Sequence, residues 1–300
     1  TYPDPECTVL REKIGQRENI QPEHIICGNG AADLIFRTVF AAKPKKALLL
    51  APTFSEYEKA LSAAGCEINF YALKEENDFA LGDDYINVLE GGYDIVFLCS
   101  PNNPTGGELS EQCLLEIVTR CKRLGILPVI DMSFADFSEN TVSANVLAEA
   151  GAAVIKAFTK IYAMPALRLG YMLCCDEELL GKVSLAGQSW SVNSLAQAAG
   201  AAALDDSDFI GRTVEYISRE RRFLTEKFGA MGIKTYPAAA NFILLKSEHD
   251  LADIAMESGI ALRRCENFCG LDGSFFRTAV RSHEDNIELV MALERGLLNG

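Results

Sequence analysis

Between residues 25 and 175, short and almost wholly apolar runs alternate with stretches whose apolar positions recur at helical spacing. The runs at 47–51, 67–73, 93–99, 127–131 and 152–158 read as strands. A shorter apolar segment at 24–27 and a run from 168 to 174 read the same way. Residues 8–18, 34–41, 55–64 and 111–124 read as helices, with Val9, Leu10 and Ile14 on one face of the first. Strands apolar on both faces and separated by helices indicate a mainly parallel sheet covered by helices. Past residue 175 the pattern turns helical, Ala-rich at 194–204, and then fits one long helix over 208–231. Short strand runs at 234–236, 242–246, 261–264 and 274–280 follow, with helices at 251–258 and 284–298. The predicted organisation is a large α/β domain over 20–205 and a smaller α+β domain over 206–300.

The 300-residue length allows a large buried core. A formal net charge of -14 argues against a nucleic-acid surface, but it leaves room for a local basic pocket that holds an anion. No apolar run reaches the ~18 residues of a membrane helix, and no secretory leader is read. The ten cysteines are scattered through apolar and helical stretches without a C-x-x-C pair, and none of the three histidines lies near a cysteine cluster. That pattern predicts reduced thiols in a cytoplasmic protein, with neither a disulfide scaffold nor a metal site. The opening Thr1-Tyr2-Pro3-Asp4-Pro5, without a methionine, reads as a fragment or a trimmed product.

The candidate chemistry lies just past the strand ends, where open α/β sheets place their ligands. Ser100-Pro101-Asn102-Asn103-Pro104-Thr105-Gly106 follows one run, Asp131 ends another, and Lys160 follows a third. Each has a plain structural role available, a turn for the Asn-Pro stretch and a helix cap for the aspartate. A lysine beside a buried strand is costly to desolvate unless it is used, in a salt bridge or in an imine with an aldehyde cofactor. Gly28-Asn29-Gly30-Ala31-Ala32-Asp33 is a Gly-rich turn entering a helix, and its free N–H groups suit a phosphate.

Taken in order, Ser100 to Gly106, Asp131, Thr159-Lys160 and Arg168-Leu169-Gly170-Tyr171 resemble the fold-type-I pyridoxal-phosphate enzymes, the aspartate aminotransferase superfamily. Tyr2-Pro3-Asp4-Pro5-Glu6, Trp190-Ser191-Val192-Asn193, the stretch from Cys265 to Asp272 and Arg277-Thr278-Ala279-Val280-Arg281 extend the resemblance. They point to the histidinol-phosphate aminotransferase branch, and within it to the threonine-phosphate decarboxylases of cobalamin synthesis. The resemblance implies the PLP-dependent transferase-like fold, with a mainly parallel sheet of the seven-stranded type, pyridoxal 5'-phosphate as cofactor and a small phosphorylated amino acid as substrate. It also implies a homodimer with shared sites, with Tyr2 reaching the neighbouring subunit's phosphate and residues 1–19 as the remnant of an N-terminal arm. Lys160 is implied as the cofactor's covalent anchor and proton carrier, and Asp131 as the partner of the pyridine N–H. Asn103 is implied to donate to the ring hydroxyl, and Phe54 to stack on the ring. Gly30, the N–H groups of Ala31 and Ala32, Thr159 and Arg168 are implied to hold the phosphate. Arg277 matches the arginine for the α-carboxylate and Arg263 the arginine for the distal phosphate, with Arg281 a further basic candidate and Asn103 close by. Three departures stand out, the first being that the Gly-rich, substrate-covering arm that precedes Tyr2 in the relatives is missing from this sequence. Ala157 replaces a hydroxyl that Thr159 compensates, and Phe134 stands where most aminotransferases of the superfamily have a tyrosine. The decarboxylase-like relatives tend to carry phenylalanine there.

Overall fold

Seven strands form one sheet: β1 (Ile25–Gly28), β2 (Lys46–Ala51), β3 (Glu67–Ala72), β4 (Ile95–Cys99), β5 (Leu127–Asp131), β6 (Ala153–Ala157) and β7 (Gly170–Leu173), in the order β1-β7-β6-β5-β4-β2-β3. The computed structural model describes residues 2–140 and 142–299. Every residue of β4, β6 and β7 is buried, as a sheet covered on both faces requires. The outer strand β3 is only half-buried. Only β7 runs against the rest, antiparallel to both β1 and β6. The carboxyl ends of β4, β5 and β6 therefore open on the same edge, with Cys99 opposite Asp131 and Asp131 opposite Ile155.

Four antiparallel strands form a second sheet, in the order β10-β11-β9-β8: β8 (Lys234–Thr235), β9 (Phe242–Lys246), β10 (Arg263–Arg264) and β11 (Phe275–Ala279). The helices Phe209–Ala230, Leu251–Met256 and His283–Asn299 cover it, and Leu224, Phe228, Ile243, Leu245, Phe276 and Leu293 share its core. Among the described residues no helix is long and apolar enough to cross a membrane.

The apolar run at 152–158 gives a strand only as far as Ala157. Phe158–Ile161 is a helical turn. The Phe158 ring stacks on Tyr162 four positions on, at 5.1 Å, and its N–H donates to Leu169 O at 3.1 Å, which bends the chain away from β6. Likewise the run from 168 begins with a left-handed residue, Arg168 at φ 58°, and the strand starts only at Gly170. A Cβ at position 170 would lie 2.6 Å from the N of Ala31, so only glycine lets β7 pass beneath the helix Ala31–Ala42.

One polar residue is hidden inside the apolar run. Lys156, in the middle of β6, is buried and holds Glu18 at 2.9 Å and Asp136 at 3.1 Å, while the Tyr171 hydroxyl donates to Glu18 at 2.6 Å. Burial alone would lower the lysine, but Asp136 and Glu18 outweigh it and raise it above its ordinary range. Removing one partner from such a buried set typically costs about 3–5 kcal/mol, because the remaining charge is left uncompensated.

Candidate active site

A cavity of about 100 Å³ sits at the shared edge of β4, β5 and β6. Its lining includes Ala31, Ala32, Phe54, Asn103, Asp131, Phe134, Thr159, Lys160 and Arg168, nine of the residues singled out from the sequence. Cys99, Ser133 and Ala157 complete it. A larger hollow of about 440 Å³ lies on the other side of the loop 102–107 and shares Cys99, but it is lined by no lysine, arginine or histidine.

One end of the cavity gathers positive charge. The helix Ala31–Ala42 begins there, so the first-turn N–H groups of Ala31 and Ala32 have no partner within the helix. Gly30, at φ 85°, makes the entry turn, and a Cβ there would lie 2.6 Å from Nη2 of Arg168. Glycine thus lets the guanidinium rest against the start of the helix, where its charge adds to the positive end of the dipole. Arg168 is held in place by donating to Pro165 O at 3.1 Å. The buried Thr159 lines the same cavity.

The other end carries an acid. Asp131 is 3% exposed and has both oxygens bonded: Oδ1 accepts from the Ser133 N–H at 2.9 Å, and Oδ2 from the Tyr57 hydroxyl at 2.6 Å. Burial and then the Asp131 charge push the Tyr57 phenol far above its ordinary range, so it remains a donor. Phe54 packs against Tyr57 in a T-shaped contact with ring centres 5.6 Å apart, and it lines the cavity. The Ser133 hydroxyl is buried without a partner among the described residues.

Lys160 stands between these ends. The sequence suggests a buried strand-end lysine, yet it rises from the turn Phe158–Ile161 and is itself exposed. Its Nζ lies 5.2 Å from the centre of the Phe134 ring. Partial burial of the amine, then the positive charge of Arg277, lowers it from its ordinary range. Asp131 opposes the shift and Arg168 adds to it.

The basic candidates separate. Arg277 on β11 reaches across to the large sheet and donates to Asn103 Oδ1, with its guanidinium 4.9 Å from the Phe242 ring centre. Arg263 is its direct partner across β10 and β11, so the two share a sheet face. Arg263 donates to Asn267 at 2.9 Å. Arg264 is engaged by Asp250 and Asp253, both at 2.6 Å. Arg281 lies past the end of β11, exposed and paired with Asp285 at 3.0 Å. Tyr2 is 81% exposed and packs on Trp190 with ring centres 5.0 Å apart. None of Arg263, Arg277, Arg281 and Tyr2 lines the cavity, and of the four Arg277 touches it through Asn103. Sequence reasoning missed Tyr57 and Ser133. The one available signal for Tyr57 was its i+3 spacing from Phe54 at the start of a helix.

The profile of a family described as aminotransferase class I and II matches residues 1–293. Threonine-phosphate decarboxylase of Salmonella typhimurium is 35% identical over 306 residues, covering 100% of this chain and 84% of that protein. Histidinol-phosphate aminotransferase of Ruminiclostridium cellulolyticum is 30% identical over 270 residues, covering 87% of this chain and 74% of that protein. Among solved structures, the histidinol-phosphate aminotransferase from Clostridium acetobutylicum superposes with a TM-score of 0.92 at 27% identity, covering 100% of this chain and 91% of that one.

Proposed function

Because this chain belongs to the class I and II aminotransferases, a family of pyridoxal-phosphate enzymes, we propose that it removes CO2 from L-threonine O-3-phosphate to give 1-aminopropan-2-yl phosphate. The cavity's donor set fits the cofactor. A phosphate matches the helix start with Arg168, a ring nitrogen matches Asp131, a ring face matches Phe54, and an aldehyde matches the free amine of Lys160. The unpartnered Ser133 hydroxyl is a further polar group awaiting a ligand. Once bound, the cofactor supplies a ring into which the electrons of a broken bond at the amino acid's Cα can spread.

The chain's own residues do the rest. Asp131 stabilises the proton on the ring nitrogen. Asn103 and Arg277 stand next to one another where an α-carboxylate is to be held. Lys160 returns a proton to Cα after CO2 departs. Arg263 takes the substrate's phosphate. The observation that carries this reading is the cross-strand pair Arg263 and Arg277 on one sheet face, with Arg277 reaching the cavity residue Asn103, an arrangement suited to a small substrate with two anionic ends. Phe134 in place of a tyrosine supports the decarboxylase over the aminotransferase. The reading includes a homodimer, in which a second copy covers the outward-facing Tyr2 and Trp190. A monomeric mass in sedimentation rules that part out.

Product analysis tests the proposal. With threonine phosphate the protein is expected to release CO2 without needing a keto acid. Amine transfer to 2-oxoglutarate, with no CO2, assigns it to the histidinol-phosphate aminotransferases instead. In the same assay Arg263→Ala is expected to lower the preference for threonine phosphate over threonine about a hundredfold, since a planar guanidinium holds two phosphate oxygens at once. Equal losses for both substrates remove Arg263 from the phosphate site.

A further inference from the structure

Tyr57 touches both groups that frame the cofactor ring. It lies on the helix Ser55–Ala63 with none of its surface exposed. Its hydroxyl donates to Asp131 Oδ2 at 2.6 Å, the length of a charge-assisted O–H···O⁻ bond. Its ring stacks on Phe97 of β4 at 4.9 Å and 16°, and it makes a T-shaped contact with Phe54 at 5.6 Å and 85°. The sheet therefore fixes the tyrosine, and the tyrosine in turn fixes a carboxylate and an aromatic ring at the two places the cofactor ring requires. We propose that Tyr57 is a positioning residue for the ring nitrogen, aiming the Asp131 carboxylate at it while bracing Phe54 against the ring face.

Carboxylate geometry gives this physical content. Each oxygen offers two lone-pair directions. The Ser133 N–H takes one on Oδ1 and the Tyr57 hydroxyl takes one on Oδ2. Two fixed donors stop the carboxylate turning about its Cβ–Cγ bond, and a direction is left free for a third donor, the ring N–H. Chains of such bonds polarise one another in a dry site, so losing the hydroxyl weakens the neighbouring contact as well. A tyrosine that only filled the core would satisfy its hydroxyl in the same way, yet it would be indifferent to what occupies the cavity.

The inference rests on the cofactor reading, and its test separates the two. Tyr57→Phe keeps the volume and both ring contacts and removes only the hydroxyl. Binding is titrated for pyridoxal phosphate and for the carbocyclic analogue in which the ring nitrogen is a C–H. The thermal midpoint of the ligand-free protein checks the fold. Tyr57→Phe is expected to raise the Kd for pyridoxal phosphate about tenfold or more, the worth of a hydrogen bond to a charged group, and to leave the analogue within about a factor of two. The loaded variant is also expected to show a shifted pH midpoint in its absorbance titration. Equal weakening of both ligands, or no change in either, overturns the proposal, whatever happens to the thermal midpoint. A wild-type protein that binds no pyridoxal phosphate overturns the cofactor reading and this inference together, and it does so before any variant is made.

Discussion

Lys160→Ala is expected to abolish turnover and to leave no cofactor that can be fixed to the chain by hydride reduction. The amine rises from a helical turn that lines the cavity, together with the helix start at Ala31 and the acid Asp131. Burial and the charge of Arg277 lower its proton affinity, which increases the share of uncharged amine able to attack an aldehyde carbonyl at neutral pH. Alanine removes the nucleophile and the proton carrier together, whereas Arg168, Thr159 and the N–H groups of Ala31 and Ala32 still hold the phosphate. The variant should therefore retain weak, non-covalent binding while rate falls to background. Peptide mapping of the reduced wild-type protein decides the point. A label on any lysine other than Lys160 contradicts the assignment.

Asp131→Asn is expected to leave the cofactor bound and to slow turnover about a thousandfold, roughly 4 kcal/mol in the barrier. The carboxylate already accepts from Ser133 and Tyr57, and in the proposed complex it accepts a third hydrogen from the ring nitrogen. An amide has one acceptor oxygen and presents two hydrogens in place of the other. The Tyr57 hydroxyl can turn to accept one of these hydrogens, but the ring nitrogen, the weakest base of the set, gives up its proton wherever the amide NH2 faces it. Without that proton the ring accepts electrons poorly and Cα bonds break slowly. Cofactor occupancy by absorbance and the rate of CO2 release measure the two halves separately. Near-normal release at full occupancy removes the role.

These expectations follow from residues that the chain announces early. Asn103, Asp131 and Lys160 stand at the ends of apolar runs, and a parallel sheet brings such ends to one edge, so their meeting follows from topology. Tyr57 could not be found that way. It is 74 positions from Asp131, and only the packing of its helix against β4 brings the hydroxyl to the carboxylate. Phe158 reads as a strand residue because aromatic residues favour strands, but its stacking on Tyr162 pulled it into a turn. The reversed direction of β7 leaves no trace in composition, since a buried strand is equally apolar in either direction. Arg281 and Asp285 show the opposite case. Their i,i+4 spacing is a local signal for an ion pair, and reading Arg281 as a substrate group passed it over.

The Lys156 cluster has a consequence in time. Lys156 directly precedes the cavity residue Ala157, and its partner Glu18 lies 138 residues earlier. At translation rates of roughly 5–20 residues per second, Glu18 leaves the ribosome on the order of ten seconds before the lysine that neutralises it. During that interval the first helix, Thr8–Glu18, lacks its ion-pair tie to β6, although Arg17 and Asp136 can already meet. The strand that leads into the turn of Lys160 is therefore tied to that helix late, and a fragment ending before Lys156 is expected to hold the helix less tightly.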